Sequence, residues 1–289
     1  MNGSADITLS ITACEISTAM QNTGTGVLNT SGVFDAWAVN VAGTLTLCVA
    51  TNGAGGGWAS DTGNTQNGTN TQRAVSSTTP TPPAGYTQLD TTTRPYITNK
   101  WQVTHCYNGA TDEGPIAVNQ ATYLGTIFTT AAGQTSYTFG GIGALGTAGL
   151  FGVWNAYNRV NVSTMVGDTA STWTYALAAV RAANASPTMR VSYVRGLAED
   201  SSNFRYYGDA QGTSGVAVAS IGLCYNVTNA FSGTIAGNQS FGGLSAEYTN
   251  TDLGFNFVNA CEFVNVNSAV TFYGQNTYSQ NGLIFQGRM

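Results

Sequence analysis

Residues 123–139, YLGTIFTTAAGQTSYTF, decide the fold class, together with 150–168, LFGVWNAYNRVNVSTMVGD, 171–183, STWTYALAAVRAA, and 189–196, MRVSYVRG. Short runs of Thr, Val, Ile, Tyr and Phe alternate with Gly, Asn, Asp and Ser, the pattern of strands joined by tight turns. Five of the nine basic residues of the chain fall between Arg159 and Arg205, yet residues 123–196 hold no His, no Cys and no cluster of carboxylates. A densely built segment without reactive groups reads as a scaffold or interface ahead of an active site.

Composition points the same way. Only 8% of residues are charged, against roughly 25% in ordinary globular chains. The polar surface is therefore built from Thr, Ser, Asn, Gln and Gly, which suit strands and turns, while Lys and Glu, the staples of exposed helix faces, are scarce. Lys100 is the one lysine. The expected fold is all-β. Neutral amide- and hydroxyl-rich surfaces also suit permanent assembly, because little ionic desolvation opposes the meeting of subunits. A net charge of −5 without a Lys/Arg cluster argues against nucleic acid as a partner, and no apolar run reaches the length of a membrane span.

The N-terminus, MNGSADITLSIT, lacks the basic and apolar regions of a signal peptide. Cys14, Cys48, Cys106, Cys224 and Cys261 are unevenly spaced, with no C-x-x-C pair. The expectation is five buried free thiols in a chain folded in a reducing cytoplasm.

Outside the central stretch, ITLSITACEIST from Ile7 alternates like a half-buried strand. GVFDAWAVNVAGTLTLCV, 32–49, gives two strands joined near Asn40–Gly43. Residues 54–79 carry hardly an aliphatic side chain and read as a flexible Gly/Asn/Thr-rich insertion. PTPPAGY, 80–86, is a stiff extended element, and TDEGP, 111–115, marks a boundary. The expected organisation is an N-terminal β domain over 1–112 and a C-terminal β-sandwich, jelly-roll-like, over 113–289. Beyond Gly196 the candidate strands are 204–207, 215–227, 255–266 and 269–273, with a hairpin signal at Asn281–Gly282. Over 171–184 a helix competes with a strand, and the alternation of Trp173, Tyr175, Leu177 and Ala179 favours the strand. Trp154, Tyr157 and Trp173 read as packing residues, with Arg159 placed to bond backbone carbonyls or a neighbouring subunit.

Chemical motifs are weak. GIGALG satisfies G-x-G-x-x-G at Gly141, Gly143 and Gly146, but no amphipathic helix follows, so no cofactor is expected. His105 is the sole histidine, and Cys106, its neighbour, points to the opposite face of a strand. No metal site is expected from one His and no paired cysteines. Asp112–Glu113 and Glu199–Asp200 read as solvated turns rather than as the facing carboxylates that glycoside hydrolysis needs. No catalytic residue is assigned. Trp58 lies in a glycine-rich loop, and Phe204, Tyr206 and Tyr207 cluster around Arg205. These four aromatics are the candidate interface or glycan-contacting residues.

PPAGYTQLDTTTRPYITNKW, 82–101, preceded by FDAWAVNVAGTLTL, 34–47, resembles a segment common in tailed-phage virion proteins. YLGTIFTTAAGQ, NAYNRVNV, WTYALAAVRAAN and MRVSYVRG are similar to runs in phage structural proteins as well. The resemblance covers about half the chain and brings no catalytic residues. It implies a non-enzymatic β-rich virion subunit, of tail-fibre, tail-appendage or head-decoration type. Without heptads, collagen-like repeats or a stalk, a compact decoration or short-spike protein is expected, assembled as a homotrimer on capsid or tail subunits. The alternatives are a receptor- or polysaccharide-binding tail protein, with a host surface glycan as partner, and a glycan-degrading enzyme.

Overall fold

The computed structural model describes residues 32–50, 111–117, 120–131, 134–197, 199–212, 217–238, 242–265, 268–274 and 281–289. It also describes the pieces at 58–59, 72–73, 86–88, 101–103 and 107–108. In chain order the strands begin with β1 (Val33–Val41), β2 (Thr44–Ala50), β3 (Trp58–Ala59), β4 (Gln72–Arg73), β5 (Tyr86–Gln88), β6 (Trp101–Val103), β7 (Tyr107–Asn108) and β8 (Thr111–Asp112). They continue with β9 (Ala121–Phe128), β10 (Tyr137–Thr138), β11 (Gly149–Phe151), β12 (Val153–Asn155), β13 (Asn161–Val166), β14 (Thr172–Tyr175), β15 (Arg181–Ala182) and β16 (Arg190–Arg195). The last are β17 (Ser202–Gly212), β18 (Ala219–Tyr225), β19 (Ser232–Asn238), β20 (Gly242–Asn250), β21 (Gly254–Val264), β22 (Val270–Tyr273) and β23 (Gly282–Arg288). Among the described residues the helical turns are 3₁₀ pieces, Ile142–Ala144 and Ala183–Ala185. The chain is all-β, of the β-sandwich class.

The first sheet grows from the hairpin of β1 and β2, which runs in register from Val41↔Thr44 to Asp35↔Ala50. Ala42 and Gly43 turn it with φ of 48° and 87°, the positive angles that two-residue hairpin turns need to match strand twist. Asn40 Oδ1 accepts the Gly43 N–H at 2.9 Å. β9 pairs along the other side of β1, β12 adds to β9, and β7 and β8 extend from β2. Strands from both sides of residue 112 thus share one sheet.

The second sheet runs β10-β11-β16-β21-β18-β19, with β15 on β21. β11 and β16 are parallel. In the third, β17 is the spine. β20 pairs one side of it from Ser202↔Asn250 to Ala210↔Gly242. The other side takes β23 along Asn203–Tyr207 and β22 along Asp209–Gly212. β13 then flanks β23, and β14 flanks β22.

The second and third sheets meet through rings. Phe151 and Tyr193 from one face Phe204 and Phe285 from the other, at centroid distances of 4.9 Å for Phe151–Phe285, 5.6 Å for Tyr193–Phe204 and 5.6 Å for Tyr193–Phe285. All four are at most 2% exposed, and each contributes about 1.5–3 kcal/mol by leaving water. The first sheet joins them at Gly196, where an added Cβ would sit 2.6 Å from Thr126 Oγ1 and 2.6 Å from Trp154 Cε3. Thr126 in turn donates to Asp35 Oδ1 at 2.6 Å inside the core.

Several expectations are corrected by these contacts. Over 171–184 the strand is interrupted: β14 covers Thr172–Tyr175, with Trp173 and Tyr175 inward, and β15 resumes only at Arg181–Ala182. Leu177 is 60% exposed, so the alternation stops there. β19 and β20 occupy 232–250, a glycine- and serine-rich stretch whose weak intrinsic strand preference is overridden by pairing with β18 and β17. Tyr157 is 68% exposed rather than packed. The strand at Ile7, the side chain of Trp58, and Cys14, His105 and Cys106 lie outside the described residues.

The cysteine expectation is overturned. Cys224 and Cys261 form a disulfide with Cα atoms 6.1 Å apart, and Cys48 is disulfide-bonded as well. β18 and β21 pair Cys224 with Asn259 and Gly222 with Cys261, so the two cysteines are diagonal neighbours on one face of the sheet. Bridges persist in oxidising surroundings, which removes the support that free thiols lent to folding in a reducing compartment. Alkylation mass spectrometry under non-reducing, denaturing conditions should find Cys224 linked to Cys261. With a sequence separation of 37, reduction or a Cys224→Ala, Cys261→Ala double variant should cost about 2–4 kcal/mol. Full alkylation of both thiols without reductant would refute the bridge.

Candidate functional site

The outer face of the third sheet collects polar side chains in rows, because alternate residues of each strand point outward. Along β17 the residues Phe204, Tyr206 and Ala210 are buried, while Asn203 and Arg205 are exposed and Tyr207 and Asp209 are half-buried. Register then sets their neighbours. Ser163 of β13 lies opposite Gln286 of β23, Gln286 opposite Asn203 of β17, and Asn203 opposite Thr249 of β20. This row of four exposed hydroxyl and amide side chains crosses four strands, roughly 14 Å at the usual strand spacing. The next row holds Met165, Ile284, Arg205 and Glu247.

Two depressions follow the rows. One of about 250 Å³ is lined by Asn203, Arg205, Glu247, Thr249, Ile284 and Gln286 among others. The second, about 450 Å³, lies against Asn161, Ser163, Asp200, Ser201, Asn203, Gln286 and Arg288. Asn203 and Gln286 line both, so the depressions lie side by side, and together they are called the groove.

The charges in the groove are matched within the chain. Arg205 Nε meets Glu247 Oε1 at 2.6 Å, and its NH1 donates to the Tyr207 hydroxyl at 2.9 Å. The Tyr207 hydrogen bond first, and Glu247 next, raise the Arg205 pKa further. Arg288 NH1 reaches Asp200 Oδ1 at 3.4 Å. In the upper row, Thr249 Oγ1 donates to Asn203 Oδ1 at 3.0 Å. Among the described residues, the side chains of Ser163 and Gln286 make no hydrogen bond to the protein.

Behind the groove, Arg159 donates to Asp200 Oδ2 at 2.5 Å and to Glu199 Oε2 at 2.7 Å, with its guanidinium 5.2 Å from the Trp154 ring. Arg159 thus bonds carboxylates of its own chain, not the backbone carbonyls that were one of its two expected partners. Glu199 and Asp200 are correspondingly not a merely solvated turn. A buried polar cluster closes the same end. Arg195, 3% exposed, donates to the Asn250 carbonyl at 2.7 Å and to Ser202 Oγ, and burial lowers its pKa. Tyr193 donates to Asn250 Oδ1 at 2.9 Å, and burial pushes its phenol up.

At the opposite end of the sandwich, Glu262 is fully buried. It accepts from Trp173 Nε1 at 2.6 Å and from Arg181 Nε at 2.7 Å. Burial pushes its carboxyl above the usual range, against the pull of Trp173 and Arg181. Arg181 in turn lies 3.9 Å over the Tyr175 ring.

Of the aromatics singled out in the sequence, Phe204 and Tyr206 are 2% and 1% exposed and belong to the core. They are corrected from surface to packing residues, since they share the inward face of β17. Tyr207 is on the outer face beside the groove, next to Tyr273, whose partner Asp209 is two residues on from Tyr207. The sequence reading missed Ser163, Asn203, Thr249 and Gln286, because single polar residues in alternating strands carry no motif. Gly141, Gly143 and Gly146 span a 3₁₀ turn and its flanks rather than a helix N-terminus of useful length. Among the described residues no group of three or more His, Cys, Asp or Glu is arranged to hold a metal ion. The chain matches no protein-family model and no curated protein.

Proposed function

We propose that the chain is a non-enzymatic structural subunit of a phage virion, a compact decoration, short-spike or tail-appendage protein that assembles with itself and with capsid or tail subunits. One observation supports assembly above all. Three arginines at the surface are neutralised within the chain, Arg159 with Glu199 and Asp200, Arg205 with Glu247 and Arg288 with Asp200. Meanwhile Phe139, Tyr157, Val160, Leu177 and Ile235 are more than half exposed. A surface with paired charges and protruding apolar side chains meets a neighbour at low desolvation cost. The virion setting rests on the resemblance of the 34–47, 82–101 and 123–196 segments. Light scattering of the purified protein should give a multiple of 30.0 kDa, a closed trimer being the expected form. Tyr157→Ser with Val160→Ser should lower the assembled fraction. A monomer at micromolar concentration that also fails to join particles would overturn the proposal.

A further inference from the structure

We infer that the groove on the outer face of the third sheet is a binding site for a neutral, hydroxyl-rich oligosaccharide. The inference goes beyond the assembly reading and stands on different residues. The row Ser163–Gln286–Asn203–Thr249 presents hydroxyls and carboxamides, each able to donate and accept, and sugar hydroxyls do the same. Two of the four, Ser163 and Gln286, are uncommitted within the described protein. Asn203 spends only its Oδ1 on Thr249 among the bonds it makes, leaving its amide N–H₂ for a ligand.

Charge selects the class. An acidic ligand needs a cation that the protein has not already paired, yet Arg205 is bound to Glu247 and Tyr207, and Arg288 faces Asp200. A nucleic acid or a uronic-acid polymer would meet Glu247 and Asp200 as well as the arginines. A neutral ligand meets no such conflict. The shape suits a chain rather than a single ring, because two depressions of about 250 and 450 Å³ lie side by side on Asn203 and Gln286. Tyr207 and Tyr273, both half-buried on this face, offer ring edges and faces beyond Arg205 on which a sugar can rest. Tyr273 is oriented by donating its hydroxyl to Gln211 Oε1 at 2.7 Å.

The test uses the purified full chain on a printed array that carries neutral hexose and N-acetylhexosamine oligomers beside sialylated and uronic-acid-bearing ones. Retention confined to neutral oligomers is the expected result. Gln286→Ala and Ser163→Ala should each weaken the retained oligomer about fivefold to tenfold, one hydrogen bond's worth. Asn203→Ala with Gln286→Ala should weaken it further, while Leu45→Ser, on the first sheet, should leave it unchanged. If the double variant fails to fold, the two exposed single variants carry the comparison. Absence of retention at millimolar oligomer, preference for the acidic members, or equal retention by the single variants would overturn the inference. Particle association measured on the same variants separates this failure from failure of the assembly proposal, since Gln286→Ala should still join particles.

Discussion

Trp173→Ala should destabilise the protein by roughly 3–5 kcal/mol, the usual cost of emptying a buried site of this size. Its melting temperature should fall by roughly 10 °C. Trp173 reaches inward from β14 and stacks on Phe272, with centroids 6.2 Å apart and planes 9° from parallel. Its indole N–H crosses from the third sheet to Glu262 on the second. Truncation therefore opens a cavity and removes one of the bonds that satisfy a buried carboxylate. Trp173→Phe separates the two contributions, keeping most of the ring and losing the N–H, with an expected cost of about 1–3 kcal/mol. Denaturant titration of the three proteins measures both. A Trp173→Ala protein with the parent midpoint would show that the two sheets do not depend on this side chain.

Arg181→Ala should cost about 3 kcal/mol at neutral pH, toward the lower end for a broken buried pair. Glu262 is 0% exposed, but Arg181 keeps 30% of its side chain in solvent. The effect should depend on pH. Burial raises the Glu262 carboxyl in the folded state, while Trp173 and Arg181 lower it in part. Between the unfolded and folded pKa values the folded chain thus binds the extra proton, and stability falls as pH rises through that window. Without Arg181 the folded pKa climbs and the window widens upward. The variant's deficit should be full above the folded pKa and shrink as pH falls and Glu262 takes its proton. Glu262→Gln in the Arg181→Ala background should remove that dependence. Denaturation midpoints across a pH series would decide it, and a deficit that stays constant with pH would mean that the carboxylate is not the uncompensated group.

What was legible in the sequence is what strand alternation and turn chemistry set locally. The two-residue period placed Trp173 and Tyr175 on one face of a strand, and Ala42–Gly43 turned the first hairpin where the glycine permits positive φ. Scarce Lys and Glu spoke against helices, and the described chain has only two 3₁₀ turns. The same period places Phe204 and Tyr206 opposite Arg205 and Tyr207, but which face is buried depends on what packs there. That was decided by Phe285 and Tyr193, 81 and 11 residues from Phe204 in the chain. β19 and β20 were hidden because Gly- and Ser-rich segments become strands only when β18 and β17 supply the partner. The Cys224–Cys261 bridge and the row Ser163–Gln286–Asn203–Thr249 follow from register between strands distant in sequence, and the Arg159 clamp on Glu199 and Asp200 joins two loops that the sheets bring together. A one-residue slip in any of these strands turns every side chain to the other face, and that choice is made by the packing of the core, not by the residues that the groove displays.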